Sequence, residues 1–135
     1  MTQTLSDPLS VYLAAFNDVR DFIKNPINQI GEEAQMSLLF ADIERDCLAG
    51  LAFVFVSHKR DGFFILKPLP NNIMQVRVAY STQPSAIKTY HKTVERLCKE
   101  AGVDAIEFET SLASMERFMP RFGWKKAYTV WRKPL

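Results

Sequence analysis

Cysteine, histidine and glycine are all scarce here, with two, two and five copies in 135 residues. Cys47 and Cys98 stand far apart, with no Cys-x-x-Cys spacing and no histidine cluster beside them. A disulfide framework and a structural zinc site are therefore not expected, and the pattern suits a reducing compartment. His58 falls in a turn and His91 on the outer side of a helix, and neither has a serine or aspartate placed to complete a relay. Both are read as solvated surface side chains. Charge of one sign is also lacking: seventeen Lys and Arg against fifteen Asp and Glu leave a net charge of +2. That excess cannot hold a polyanion by bulk attraction, so nucleic acid is not an expected partner. No apolar run approaches the roughly 20 residues of a spanning helix, and Met1 to Pro8 lacks the basic and apolar regions of a signal sequence. The expectation is a protein of the cytoplasm that needs neither membrane nor metal.

What is present suits one folded unit. Hydrophobic residues make up 47% of the chain and charged residues 24%, as in ordinary globular proteins, and the length fits a single core. One domain over 1–135 is expected, with a helical part at 1–47 and the sheet and C-terminal helices at 48–135. Ser6-Asp7-Pro8 has the chemistry of a helix start, and Tyr12, Ala15, Phe16, Val19, Phe22 and Ile23 recur at helical spacing. This predicts a first helix stopped by Asn25-Pro26. A second helix is predicted from about Glu32 to Asp46, presenting Met36, Leu39, Phe40, Ile43 and Cys47 on one face, with a strand over Ser37 to Ala41 as the competing reading.

The stretch Gly50 to Ser57 is apolar and β-prone, His58 to Gly62 reads as a hairpin turn, and Phe63 to Lys67 returns as a partner strand. After a turn at Pro68, Pro70, Asn71 and Asn72, the segment Ile73 to Tyr80 alternates. That pattern puts Met74, Val76, Val78 and Tyr80 on one face and Gln75 and Arg77 on the other. A long helix is predicted to start near Pro84, with Ile87, Tyr90, Val94, Leu97, Cys98 and Ala101 as its stripe and Gly102 as its cap. Ala105 to Thr110 reads as a strand, Ser114 to Phe122 as a short helix closed by Gly123, and Lys126 to Arg132 as a last strand. Strand, helix, strand implies a right-handed crossover between parallel strands, here Ile73 to Tyr80 and Ala105 to Thr110.

An antiparallel meander, a long helix, a strand, and a short helix running into Phe122-Gly123-Trp124-Lys125-Lys126 together resemble the GNAT (N-acetyltransferase) superfamily. The likeness covers about Gly50 to Leu135. The fold class it implies is α/β (α+β), a mixed sheet with an antiparallel meander, a crossover helix and flanking helices. It also implies acyl-CoA between two splayed strands, with its pyrophosphate on backbone N–H groups at the start of the long helix. A helix N-terminus offers unpaired donors and a positive dipole end there. Carried over, the acetyl-CoA site takes in Val78 and Tyr80 from the strand and Gln83, Ser85, Ala86, Ile87 and Lys88 from the turn.

The sequence departs from the family's pattern at four points. The glycine-rich turn expected before the long helix is replaced by Thr82-Gln83-Pro84-Ser85-Ala86-Ile87, which has no glycine and loses a donor at Pro84. Where many members carry a tyrosine that protonates the departing thiolate, this chain has Phe118 and Met119, which cannot donate a proton; Tyr80 and Tyr90 are the phenols that could stand in. The family's asparagine before the short helix is replaced within Ser111-Leu112-Ala113-Ser114, and no strand pattern is visible before the first helix.

Other groups carry milder expectations. Glu107 and Glu109 share a strand face, which reads first as a solvated face and second as a general base. Arg117, Arg121, Lys125, Lys126, Arg132 and Lys133 alternate with Phe118, Phe122, Trp124, Tyr128 and Trp131 near the C-terminus, a pattern read as core aromatics beneath a basic face. A small GNAT-like chain with a degenerate acyl-CoA site resembles acetyltransferase-like and internal virion proteins of tailed bacteriophages. The reading taken is accordingly a non-catalytic binding or virion assembly protein with protein partners, in host cytoplasm or virion, and with no cofactor or only weakly bound acetyl-CoA. A dissociation constant no better than about 1 mM goes with it. An active N-acyltransferase and a regulatory binding module are the alternatives.

Overall fold

The computed structural model describes residues 11–33, 40–82 and 86–108, together with 123, 133 and 134. Its elements, in order, are β1 (Val11–Ala14), α1 (Phe16–Glu33), α2 (Phe40–Leu48), β2 (Phe53–Ser57), β3 (Gly62–Leu69), β4 (Ile73–Ser81), α3 (Ala86–Ala101) and β5 (Ala105–Phe108). The five strands form one sheet in the order β1-β2-β3-β4-β5. Pairing is antiparallel from β1 to β4, whereas β4 and β5 run parallel in the register Ile73↔Ala105 to Val76↔Phe108. The predicted meander and crossover are thus present, and α3 is the crossing element. The mixed α+β class expected from sequence is the class observed.

Each face of the sheet carries its own core. On one, α1 and α2 press Phe16, Val19, Ile23, Ile27, Phe40 and Ile43 onto Val54, Val56, Phe63, Ile65 and Val78. On the other, α3 presses Tyr90, Val94 and Cys98 onto Phe64, Leu66, Met74 and Val76. Strand β3 serves both layers, because consecutive side chains point to opposite faces and Phe63 to Leu66 are all apolar and buried.

The N-terminal part differs from the sequence expectation. Val11 to Ala14 is a strand and not the start of a helix, paired residue for residue with Ser57 to Val54. Tyr12 and Ala14 reach the α1 face of the sheet while Val11 reaches the other, so the segment follows the strand period. Neighbouring β2 supplies the hydrogen-bonding partners, and that non-local pairing overrides the helical spacing of the apolar residues. The strand that seemed missing ahead of the helices is this one. Nor does Pro26 end the helix, since α1 continues through it to Glu33. Ile23 and Ile27 are fully buried on either side of it, and their burial offsets the backbone hydrogen bond that proline cannot make. The second helix is described from Phe40, within the predicted span, and runs two residues past Asp46 to Leu48; positions 37–39 of the competing strand lie outside the described residues.

A third difference lies in β4. Ile65 pairs with Val78 and Leu66 with Val76, so Arg77 is an extra residue with no partner on β3. That bulge flips the alternation. Met74 and Val76 join the α3 core, but Val78 and Tyr80 join the α1 core, where strict period 2 would put all four together.

At the far end of the sheet two turns are tied together. The Asn72 side-chain amide donates to the Gly102 carbonyl at 2.9 Å, and the Asp104 N–H donates to the Asn72 carbonyl at 2.9 Å. Gly102 closes α3 in the left-handed conformation (φ 76°), with Val103 N–H reaching back to the Cys98 carbonyl at 3.2 Å. The predicted cap is confirmed. The predicted short helix at 114–122, the strand at 126–132 and the end of the strand at 109–110 lie outside the described residues.

Candidate functional site

Where β4 ends and α3 begins, the sheet gives way to a connection only four residues long, from Thr82 to Ser85. The described pairing of β4 with β5 reaches Val76, next to the bulge at Arg77. Beyond that point β4 continues to Ser81, which pairs with Gly62 at the start of β3. The first turn of α3 carries no acidic residue, whereas α1 and α2 have Asp18 and Asp42 in theirs. Its positive end is therefore not neutralised by carboxylates of its own first turn.

At the end of β4 lies a buried polar group of side chains. Ser57, with no exposed surface, donates its hydroxyl proton to Asp61 Oδ1 at 2.6 Å and accepts the Asp61 N–H at 3.0 Å. The Arg60 N–H closes the same turn on the Ser57 carbonyl at 2.9 Å, with Arg60 itself left-handed at φ 57°. Tyr90 of α3, 1% exposed, hydrogen-bonds with the side chains of Ser57 and Ser81. Burial pushes its phenol up to about 12. Tyr90 is thus a structural phenol closed to solvent, and not one placed to protonate a leaving group.

The expected site residues fall as follows. Val78 is buried in the α1 core and Tyr80 is half-buried there, its ring 5.6 Å from that of Phe63, so both point to the side of the sheet opposite α3. Ala86, Ile87 and Lys88 open α3 as predicted, but their side chains, like Gln83 and Ser85 altogether, lie outside the described residues. So do Phe118, Met119 and Glu109. His58 is in the expected hairpin turn, with its ring 5.1 Å from that of Tyr12. His91 was expected on the outer surface; it is 9% exposed, with Nε2 3.5 Å from Glu95 Oε1. One turn of the helix separates His91 from Glu95, and the ring is folded into the flank of the core instead of solvent.

Sequence reasoning missed Ser57, Asp61 and Ser81. Ser57 reads as an ordinary strand end and Asp61-Gly62 as an ordinary turn, and only the hairpin brings them beneath α3. The spacing Ser57-x-x-x-Asp61 was the available signal, but a serine bonding across a turn is common and says nothing of a helix above it. The described residues contain no group of three or more His, Cys, Asp or Glu able to hold a metal ion, and no helix long and apolar enough to cross a membrane. Elsewhere a groove of about 310 Å³, lined by Leu13, Phe16, Cys47, Phe53 and neighbours, opens at the β1–β2 edge of the sheet, at the opposite end of the strand order from β5.

No protein-family model matches the chain, and no curated protein matches it. Solved structures do. A crystal structure of a probable acetyltransferase superposes with a TM-score of 0.68 over 93% of this chain and 97% of that one, at 10% identity. A GNAT-family acetyltransferase from Staphylococcus aureus Mu50 gives 0.63 over 88% and 87%, at 17% identity. Aminoglycoside N-acetyltransferase AAC(6')-Iy, solved with CoA, gives 0.61 over 93% and 100%, at 13% identity. Matches that span nearly the whole of both chains, with identities this low, establish architecture: the chain has the GNAT acetyltransferase fold.

Proposed function

We propose that this chain is an acyl-CoA-dependent N-acyltransferase. The observation that carries the reading is the junction of bulged β4 with α3. A bulge frees an extra peptide unit from the ladder next to Val76, the last described β4 residue of the parallel pair, and after a four-residue connection a helix of 16 residues starts with no acid in its first turn. The first feature supplies a fixed backbone donor for an acyl carbonyl, the second a positive end for a pyrophosphate. Structural neighbours of the same fold include one solved with CoA, which favours this alternative over a non-catalytic or virion role.

In this reading the thioester supplies an activated acyl group and a thiolate leaving group to an acceptor amine. The chain's part is to hold it. Backbone N–H groups of Ser85, Ala86 and Ile87, with Lys88 beside them, would take the pyrophosphate, and Gln83 would add a side-chain amide. Val78 and Tyr80 would contribute through the backbone of β4, since their side chains face the α1 core.

The glycine-free turn and the absence of the expected tyrosine at Phe118-Met119 stand on the side of a non-catalytic binding protein, and a single titration decides. Calorimetry with acetyl-CoA is expected to give a dissociation constant below about 1 mM, the value at which binding is worth about 4 kcal/mol. Lys88→Glu should raise it at low salt and less so at high salt, because a charge near the phosphates is screened within about 10 Å at 0.1 M. Binding weaker than about 1 mM would return the non-catalytic reading to first place.

A further inference from the structure

The end of β4 is tied to the turn between β2 and β3. Thr82 N–H donates to the Asp61 carbonyl at 2.9 Å, fixing the chain as it leaves the sheet. Four residues into α3, Tyr90 reaches back to the end of β4 and bonds to Ser81 and Ser57. Because the Ser57 proton is committed to Asp61 Oδ1, Tyr90 must be the donor to Ser57, and Ser81 the donor to Tyr90. Every hydroxyl proton in the group then has one destination.

Gly62 shows how closely the phenol is seated. A Cβ built at this position would collide with the Tyr90 hydroxyl and lie 2.6 Å from the Tyr80 carbonyl oxygen. The glycine is required by this close approach. The Tyr90 ring is meanwhile gripped by the core, 5.2 Å from the Phe64 ring, so its hydroxyl has little freedom to leave.

We propose that Tyr90 is a positioning residue for the cofactor-binding end of α3: its hydroxyl, lodged over Gly62 and bonded to Ser57 and Ser81, fixes the start of α3 against the end of β4. The proposal rests on the acyl-CoA reading above. It assigns to a buried clamp the preorganisation that a glycine-free turn cannot gain by moulding its backbone around phosphate. Ser57 and Asp61, from the β2–β3 hairpin, thereby act on the start of α3 without touching a ligand.

Tyr90→Phe keeps the ring and removes only the hydroxyl. Its acetyl-CoA dissociation constant, measured by calorimetry, should rise about tenfold, the worth of one lost hydrogen bond of ordinary strength. Hydrogen exchange at the amides of 81–90 should quicken in the same variant. Val94→Ala, buried on the same helix, is the control: it should lower the melting temperature and leave the dissociation constant within about twofold, as for a site-independent loss of packing. Should Tyr90→Phe fail to fold, Ser81→Ala removes the donor to Tyr90 and should weaken binding in the same direction. A wild-type protein that binds acetyl-CoA and a Tyr90→Phe protein that binds it equally well would overturn the clamp alone. If the wild type itself shows no binding, the acyl-CoA reading falls, and the cofactor role of Tyr90 with it.

Discussion

Asp46 is the described residue whose charge the fold works hardest to keep. Its carboxylate is 6% exposed and takes Lys67 Nζ at 2.9 Å, with Arg45 Nε 3.7 Å away. The hydrogen bond from Lys67 outweighs burial and holds the carboxyl below its ordinary value of 3.8. A depressed folded value means that this pair stabilises the protein fully above about pH 4 and that the contribution is lost as pH falls through the folded value. Lys67→Met should therefore cost about 1–2 kcal/mol at pH 7, discounted because the lysine is 30% exposed, and the cost should shrink toward pH 3. Urea midpoints of the two proteins across that range provide the check, and a pH-independent difference would show that the loss is one of packing.

At the scale of elements, the strongest sequence signals and the misread ones come from the same helix. Phe16, Val19, Ile23 and Ile27 form a stripe on α1 at helical spacing, and all four are buried against the sheet. Removing the ring at Phe16→Ala should destabilise by about 3–5 kcal/mol, the range for truncating a buried aromatic. Chemical denaturation measures it, and a value near zero would mean that this face of α1 does not hold the sheet. Yet the same periodicity, extended back to Tyr12, mistook a strand for a helix. Over a few residues an apolar pattern fits both periods, and the choice belongs to whichever partner is near.

For the whole molecule, the sheet is a shared wall between two cores, and the two cysteines happen to report on one each. Cys47 packs against the α1 core and Cys98 lies within the α3 core. Burial raises both thiols, Cys47 from 9.0 to about 11. A smaller thiolate fraction makes native Cys47 slower toward a disulfide reagent at pH 8 than the unfolded chain. Because β3 supplies side chains to both layers, neither can open with the other intact. Both thiols should become reactive at one urea midpoint. Two separated midpoints would show that the layers unfold as independent units.

Composition and local pattern were enough for the elements from β2 to β5. Their strands alternate or run apolar, their turns carry Pro, Asn and Gly, and the crossover rule leaves one handedness for strand, helix, strand. The resemblance read from that order agrees with the fold observed. The stripe of α3 and its glycine cap were legible for the same reason: helix periodicity and left-handed φ are properties of neighbours in sequence. Three features were decided only in three dimensions. The strand β1 exists because β2 lies beside it, the bulge at Arg77 because β3 and β4 differ by one residue in register, and the Ser57–Asp61–Tyr90–Ser81 group because a hairpin is folded beneath a helix. In each, the partner that satisfies a backbone or a hydroxyl is remote along the chain, and a hydrogen bond to a remote group leaves no period in the sequence.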